Sequence, residues 1–79
     1  MGSSRRKRKV RKEIKDQLSE RLLRMRLLRN MTQGDLAAEA GVAIYTIVQA
    51  ENGRTKPHPS TIRKLATALD CNVEDLIML

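Results

Sequence analysis

Residues 32–53 carry the sequence TQGDLAAEAGVAIYTIVQAENG, which decides the fold of this chain. Thr32 is a typical helix N-cap residue, and Asp35 stands three positions later, where a capping box usually has Glu. The helix that begins there is predicted to end just before Gly41, since glycine accepts the left-handed backbone of a tight turn. A second helix is predicted over about residues 44–52.

Two short helices that pack against each other across a glycine turn require particular residue types at a few positions, and this stretch has them. Their close crossing needs a small side chain, which Ala37 supplies. The positions that face inward must be apolar, and they are Leu36, Ala40, Val42, Ile47 and Ala50. Residues 33–52 therefore predict a helix-turn-helix motif, the unit that places its second helix in the major groove of DNA.

The regions on either side of this motif are also predicted to be helical. Apolar residues recur every three or four positions over about residues 16–29, which indicates an amphipathic first helix. A proline-containing loop at 54–59 precedes a helix over about 61–69, with Ser60 as its predicted N-cap. Asn72 begins a final short helix by the same capping logic. No segment reads as a strand, so an all-α fold of five helices is expected.

Positive charge is concentrated at the N-terminus. The 79-residue chain has a formal net charge of +7, and residues 5–12 read RRKRKVRK. From Glu13 onward, nine basic and nine acidic residues cancel. We therefore divide the chain into a disordered basic arm at 1–13, whose first four residues (MGSS) resemble a vector remnant, and one compact domain at 14–79. The basic side chains of the arm are Arg5, Arg6, Lys7, Arg8, Lys9, Arg11 and Lys12.

Composition argues against several classes of function. The single cysteine, Cys71, has no partner for a disulfide within the chain, and the single histidine, His58, is too few for a zinc site. No metal or cofactor is therefore expected. Tyr45 is the sole aromatic residue, which argues against recognition of single-stranded nucleic acid by base stacking. No nucleophile–base pair or glycine-rich phosphate loop indicates an enzyme, and no small-molecule ligand is expected. The sequence shows no secretory signal and no apolar run long enough to span a membrane, so a cytoplasmic, nucleoid-associated protein is expected.

The chain resembles the phage-repressor (Cro, XRE-like) helix-turn-helix family over about residues 18–77. The most specific matches are TQ at 32–33, LA at 36–37, GV at 41–42 and ENG at 51–53. The resemblance implies a bundle of five α-helices, binding to double-stranded operator DNA as a homodimer, and repression of transcription.

The resemblance also implies roles for individual residues. Arg26 and Glu51 match a structural ion pair between the first helix and the end of the recognition helix. Contacts to DNA phosphates are implied for the start of the second helix, the loop after the recognition helix and the start of the fourth helix. These residues are Gln33, Asn52, Arg54, Thr55, Lys56, Ser60 and Thr61. The role of the basic arm is a separate question, for which a solubilising tail and a nuclear-localisation signal are two alternatives. Contacts to phosphates or to a neighbouring groove are favoured, because the rest of the chain is neutral overall.

Base contacts are implied for positions where this chain departs from the family, which usually has polar residues there. The residues are Ala43, Ile44, Tyr45, Val48 and Gln49. Gln49 carries the amide that suits adenine, and the aliphatic side chains suit thymine methyl groups. Ala43 is a poor N-cap. The same apolar stripe is also compatible with a protein-interaction adaptor, such as an antitoxin-like partner or a transcriptional bridging factor.

Leucines of the first helix leave a further alternative open. Leu23, Leu27 and Leu28 lie partly off the core stripe, and with Met78 and Leu79 they would form a dimer contact. Ordinary burial is the favoured explanation for any one of them.

A basic membrane-surface helix over residues 5–28 is a third class of function. It is set aside because residues 32–77 encode a compact domain.

Overall fold

A computed structural model describes residues 18–77, and all regular structure within them is helical. Helix α1 covers residues 18–28 of this range. The others are α2 (Gln33–Ala40), α3 (Ile44–Glu51), α4 (Pro59–Ala68) and α5 (Val73–Ile77). The all-α, five-helix prediction is confirmed for these residues. The predicted arm, together with Met78 and Leu79, lies outside them, and no helix within them is long and apolar enough to cross a membrane.

Every helix contributes to one hydrophobic core. The largest fully buried side chains come from all parts of the described chain and are Leu22, Leu36, Ile47, Leu65, Leu69 and Leu76. Partly buried side chains such as Met25 and Met31 pack around them. Helices as short as α2 and α3, eight residues each, are marginal in water on their own. Their stability therefore depends on this shared core.

The start of α2 is capped as predicted. The backbone N–H of Asp35 donates to Thr32 Oγ1 at 3.0 Å, and the backbone N–H of Thr32 donates to Asp35 Oδ2 at 3.0 Å. Hydrogen bonding from the Thr32 backbone, with a further contribution from its side chain, lowers the pKa of Asp35 below its ordinary value. Ala37 is 5% exposed at the crossing of α2 with α3, where the prediction required a small side chain.

The turn between α2 and α3 depends on a left-handed residue. Gly41 has φ 71° and ψ 37°, and its N–H caps the C-terminus of α2. A Cβ at this position would meet no atom within 4 Å, so backbone strain alone opposes a side chain here.

Exchanging glycine for alanine at two positions is expected to have opposite effects. Gly41→Ala should lower the free energy of unfolding by about 1 kcal/mol, because alanine resists a positive φ. Gly34→Ala in α2 should raise it by about 0.5 kcal/mol, because a Cβ there makes only ordinary contacts and stiffens the unfolded chain. Urea unfolding of both variants measures the difference, and equal shifts would contradict the assigned role of the turn.

The prediction of Ser60 as the N-cap of α4, with the helix starting at about residue 61, is wrong. The helix begins at Pro59, and His58 is the N-cap residue, whose Nδ1 accepts a hydrogen bond from the Ser60 backbone N–H at 3.3 Å. Proline is well suited to the first helical position, since its fixed φ is helical and its missing N–H would have no partner there. The sequence interpretation treated this proline only as a helix breaker. Ser60 and Thr61 thus lie inside the first turn of α4.

Candidate nucleic-acid interface

A buried ion pair joins α1 to the C-terminal end of α3. Arg26 Nε donates to Glu51 Oε2 at 2.6 Å, and Arg26 Nη2 donates to Glu51 Oε1 at 3.0 Å. A third donor, Arg26 Nη1, reaches the Met31 carbonyl oxygen at 2.8 Å. The side chains of Arg26 and Glu51 are only 11% and 5% exposed. This two-pronged geometry restricts both the position and the rotation of α3 relative to α1.

Gln33 extends the ion pair into a cluster of three side chains. Its Nε2 donates to Glu51 Oε1 at 3.0 Å. The first residue of α2 is thereby fixed to the last residue of α3, next to the loop that follows. The amide retains one N–H and its oxygen for other partners. Sequence reasoning assigned Gln33 to a phosphate and missed this link, although polar residues at the two helix ends were the available signal.

The predicted base-contacting residues lie on the outer side of α3 and just before it. Ala43 is exposed, Ile44 is 51% exposed and Tyr45 is 68% exposed. Val48 and Gln49 are half-buried and lie one turn further along the helix. Gln49 Nε2 donates to the Tyr45 hydroxyl oxygen at 3.0 Å, a contact that the sequence analysis did not anticipate. The structure thus brings these residues together on one helical face.

The predicted phosphate-contacting loop is exposed along most of its length. Asn52, Arg54, Thr55 and Lys56 all lie at the surface. Gly53 turns the chain with φ 70°, and the buried ring of Pro57 anchors the end of the loop. Ser60 is exposed and Thr61 half-buried in the first turn of α4. Cationic and hydroxyl groups therefore follow directly after α3, while Gln33 lies against its last residue.

The N-terminus of α3 has no side-chain cap, as the sequence predicted. Ala43 occupies the N-cap position with φ −71° and ψ 144°, an extended backbone that accepts a capping residue.

A serine at this position is therefore expected to stabilise the domain. Ala43→Ser should raise the free energy of unfolding by about 0.5–1 kcal/mol, because its hydroxyl can accept a hydrogen bond from an unpaired N–H of the first turn. Ala38→Ser, the same change at an exposed position within α2, should lower it by about 0.5 kcal/mol through helix propensity. Thermal unfolding followed by circular dichroism compares the two, and an equal loss in both would contradict the capping argument.

Three leucines of α1, Leu23, Leu27 and Leu28, are exposed, so burial is the wrong explanation for these three. Leu23 is 38% exposed, Leu27 59% and Leu28 72%. They lie with Glu20 and Arg24 along the outer side of α1. Three solvent-exposed leucines on one short helix form a patch that water solvates poorly.

The fold and this site define a DNA-binding domain of the helix-turn-helix class. The sequence profile of the helix-turn-helix family matches residues 22–76, and the chain belongs to this family of transcriptional regulators. Such domains bind DNA and are typically not enzymes.

Two curated relatives are described as HTH-type transcriptional regulators of uncharacterised function. RghRB of Bacillus subtilis (strain 168) is 39% identical over 59 residues, which cover 73% of this chain and 42% of that protein. MJ0272 of Methanocaldococcus jannaschii is 33% identical over 61 residues, which cover 77% of this chain and 92% of that protein. The chain thus spans less than half the length of the bacterial relative but nearly all of the archaeal one.

Solved structures show the same architecture. The restriction-modification controller protein C.AhdI from Aeromonas hydrophila superimposes with a TM-score of 0.76 at 29% identity, over 78% of this chain and 94% of that one. An HTH_3 family transcriptional regulator from Vibrio cholerae superimposes with a TM-score of 0.75 at 25% identity, over 80% of this chain and 35% of that one.

Proposed function

We propose that this chain is a sequence-specific regulator of the phage-repressor type, which binds double-stranded DNA through α3 and represses transcription. One observation carries the proposal. The exposed face of α3 continues directly into an exposed loop bearing Arg54 and Lys56, and the Arg26–Glu51–Gln33 cluster holds α3 in position. A fixed helix beside exposed cations is an arrangement in which the helix contacts base edges in a groove while the cations bind the phosphates of the DNA backbone.

Phosphate contacts position the domain on the duplex. In this proposal they come from the N–H that Gln33 retains, from Asn52, Arg54, Thr55 and Lys56 in the loop, and from Ser60 and Thr61 in the first turn of α4. The Ser60 backbone N–H already donates to His58 Nδ1 and Pro59 has no N–H, so the contribution of this turn comes mainly from the two hydroxyl groups. These contacts hold the register of α3 and carry no sequence information.

We also propose that the chain binds DNA as a homodimer. The exposed Leu23, Leu27 and Leu28 give two copies an apolar surface to bury against each other. A dimer of this class binds two half-sites about one helical turn of DNA apart, so the operator would be an approximate palindrome.

Selection of duplexes from a random pool tests the proposal. The chain is expected to bind a selected duplex at least about a thousandfold more tightly than random DNA at the same salt concentration. The selected sites should show repeated half-sites, and a promoter carrying such a site upstream of a reporter should be less active when the chain is present. Equal affinity for every duplex would contradict sequence-specific binding.

A second candidate is a protein-interaction adaptor with the same fold. It is favoured by the apolar side chain of Ile44 and the aromatic ring of Tyr45, which are 51% and 68% exposed. The family usually has polar residues at these positions. In that case Tyr45→Ala would abolish binding to a protein partner and leave the weak, non-specific affinity for DNA unchanged.

A further inference from the structure

The outer face of α3 offers a restricted set of chemical groups to a DNA groove. Its groups outside the core are the methyl groups of Ala43, Ile44 and Val48, the phenol of Tyr45 and the amide of Gln49, of which Val48 and Gln49 are half-buried. Thr46, which carries the one aliphatic hydroxyl of α3, is half-buried as well. The only charged side chain of α3 is Glu51, and both of its carboxylate oxygens accept hydrogen bonds from Arg26 and Gln33. No free charge on this helix is therefore available to a base edge.

The lack of a free charged side chain on α3 limits which bases this helix can recognise, because each base pair presents its own pattern of donors and acceptors in the major groove. Guanine is read most often by Arg or Lys, which donate to its O6 and N7 atoms, and cytosine is read by a carboxylate that accepts from its N4. Neither type is free on α3. Thymine alone presents a methyl group, which aliphatic side chains can contact, and adenine pairs with a Gln amide through N6 and N7.

The hydrogen bond between Tyr45 and Gln49 orients the one amide on this face. Gln49 Nε2 has two hydrogens and uses one on the Tyr45 oxygen at 3.0 Å. The second hydrogen and Oε1 stay free, which is the donor–acceptor pair that adenine requires. A side chain that is already oriented loses less conformational entropy when it binds.

Ile44 lies close to the start of α2, although half of its surface is exposed. A Cβ built on Gly34 would lie 3.8 Å from Ile44 Cδ1, so the tip of this side chain leans over the first turn of α2. The methyl groups of Ile44 and Val48 lie one turn apart on the same side of α3.

We propose that each half-site of the operator contains A·T pairs, read by Ile44 and Val48 through thymine methyl groups and by Gln49, positioned by Tyr45, through adenine. This inference rests on the proposed function and specifies the base pairs that α3 recognises. Tyr45 is a positioning residue in this scheme, since it acts through Gln49.

Base analogues test the proposal on the selected duplex. Deoxyuridine in place of one half-site thymine removes only the methyl group, and the affinity should fall about fourfold at a contacted position. Ile44→Ala should bind the thymine and deoxyuridine duplexes equally at the position that Ile44 contacts. 7-Deazaadenine removes the N7 acceptor and should weaken binding about fivefold or more at the position of Gln49.

Tyr45→Phe keeps the aromatic ring and removes the hydroxyl, so the discrimination between adenine and 7-deazaadenine should shrink toward that of Gln49→Ala. Thr67→Ala serves as the control, because its exposed hydroxyl is bonded within α4 to the Arg63 carbonyl. Tight binding to a selected duplex that ignores every analogue, or whose half-sites are G·C pairs, would overturn this inference and leave the proposed function intact. Equal binding to all duplexes would overturn both.

Discussion

Replacing Glu51 by alanine is expected to lower the free energy of unfolding by about 3–5 kcal/mol, because the Arg26 guanidinium would remain buried without its counter-charge. A domain of this size has a total stability of about 4–12 kcal/mol, so the loss is a large fraction of the whole. The melting temperature should fall by at least about 12 °C. Glu39→Ala, which removes an exposed carboxylate from α2, should change the stability by less than about 0.5 kcal/mol.

A double-mutant cycle separates the ion pair from the packing around it. Arg26→Met keeps most of the volume of the side chain and removes the charge. The double variant Arg26→Met, Glu51→Leu should lose less free energy of unfolding than the sum of the losses in the two single variants, by about 1–3 kcal/mol. The reason is that neither charge is left unpaired in the double variant. If the losses in the free energy of unfolding are additive, the two charges do not stabilise the orientation of α3 through each other. The effects of the two variants would then come from separate contacts.

Deleting residues 1–12 is expected to reduce the steepness of the salt dependence of DNA binding by up to about 6 in a log–log plot. This part of the chain carries seven basic residues, and each phosphate that a protein neutralises contributes about 0.9 to the slope. The rest of the chain is neutral overall, so long-range attraction to DNA would come from this arm. The ratio of the affinities of the full chain and the deletion should therefore be on the order of a thousandfold larger at about 50 mM than at about 200 mM salt, and it should be similar for selected and random duplexes.

Two matched variants control for the deletion. Removing residues 1–4 alone, which read MGSS, should leave the slope unchanged, since no charged side chain is lost. Exchanging the seven basic residues for glutamine keeps the length of the chain and should reproduce the full deletion. A full-length chain whose slope matches that of the deletion would contradict a role of the arm in DNA binding. A deletion that selectively weakens the selected duplex would instead indicate base contacts by the arm.

Much of the fold could be predicted because its signals are local. The Thr32–Asp35 box, the left-handed Gly41 and the uncapped Ala43 each follow from residues adjacent in sequence, and the structure confirms all of them. The N-cap of α4 was predicted incorrectly at Ser60 and lies at His58, because proline is common both at the end of a loop and at the first position of a helix. The sequence pattern does not distinguish these two uses of proline.

The placement of the candidate residues along α3 and the loop after it could be predicted from the sequence, but the hydrogen bonds between their side chains could not. The positions along α3 and the loop after it follow from the spacing of the motif. The Gln33–Glu51 hydrogen bond joins residues 18 apart in the chain, and its geometry depends on the crossing of α2 with α3. The exposure of Leu23, Leu27 and Leu28 likewise depends on which side of α1 the other helices cover.

Local sequence was sufficient to predict the class of fold, the capping box of α2, the glycine turn and the position of α3, because each depends on backbone preferences or on helical periodicity over a few residues. The tertiary structure alone decided which side chains share a hydrogen bond, how far each is exposed, and that Gln49 is oriented by Tyr45. These properties depend on distances between side chains and between separate helices, and those distances are set only when the helices pack around the common core.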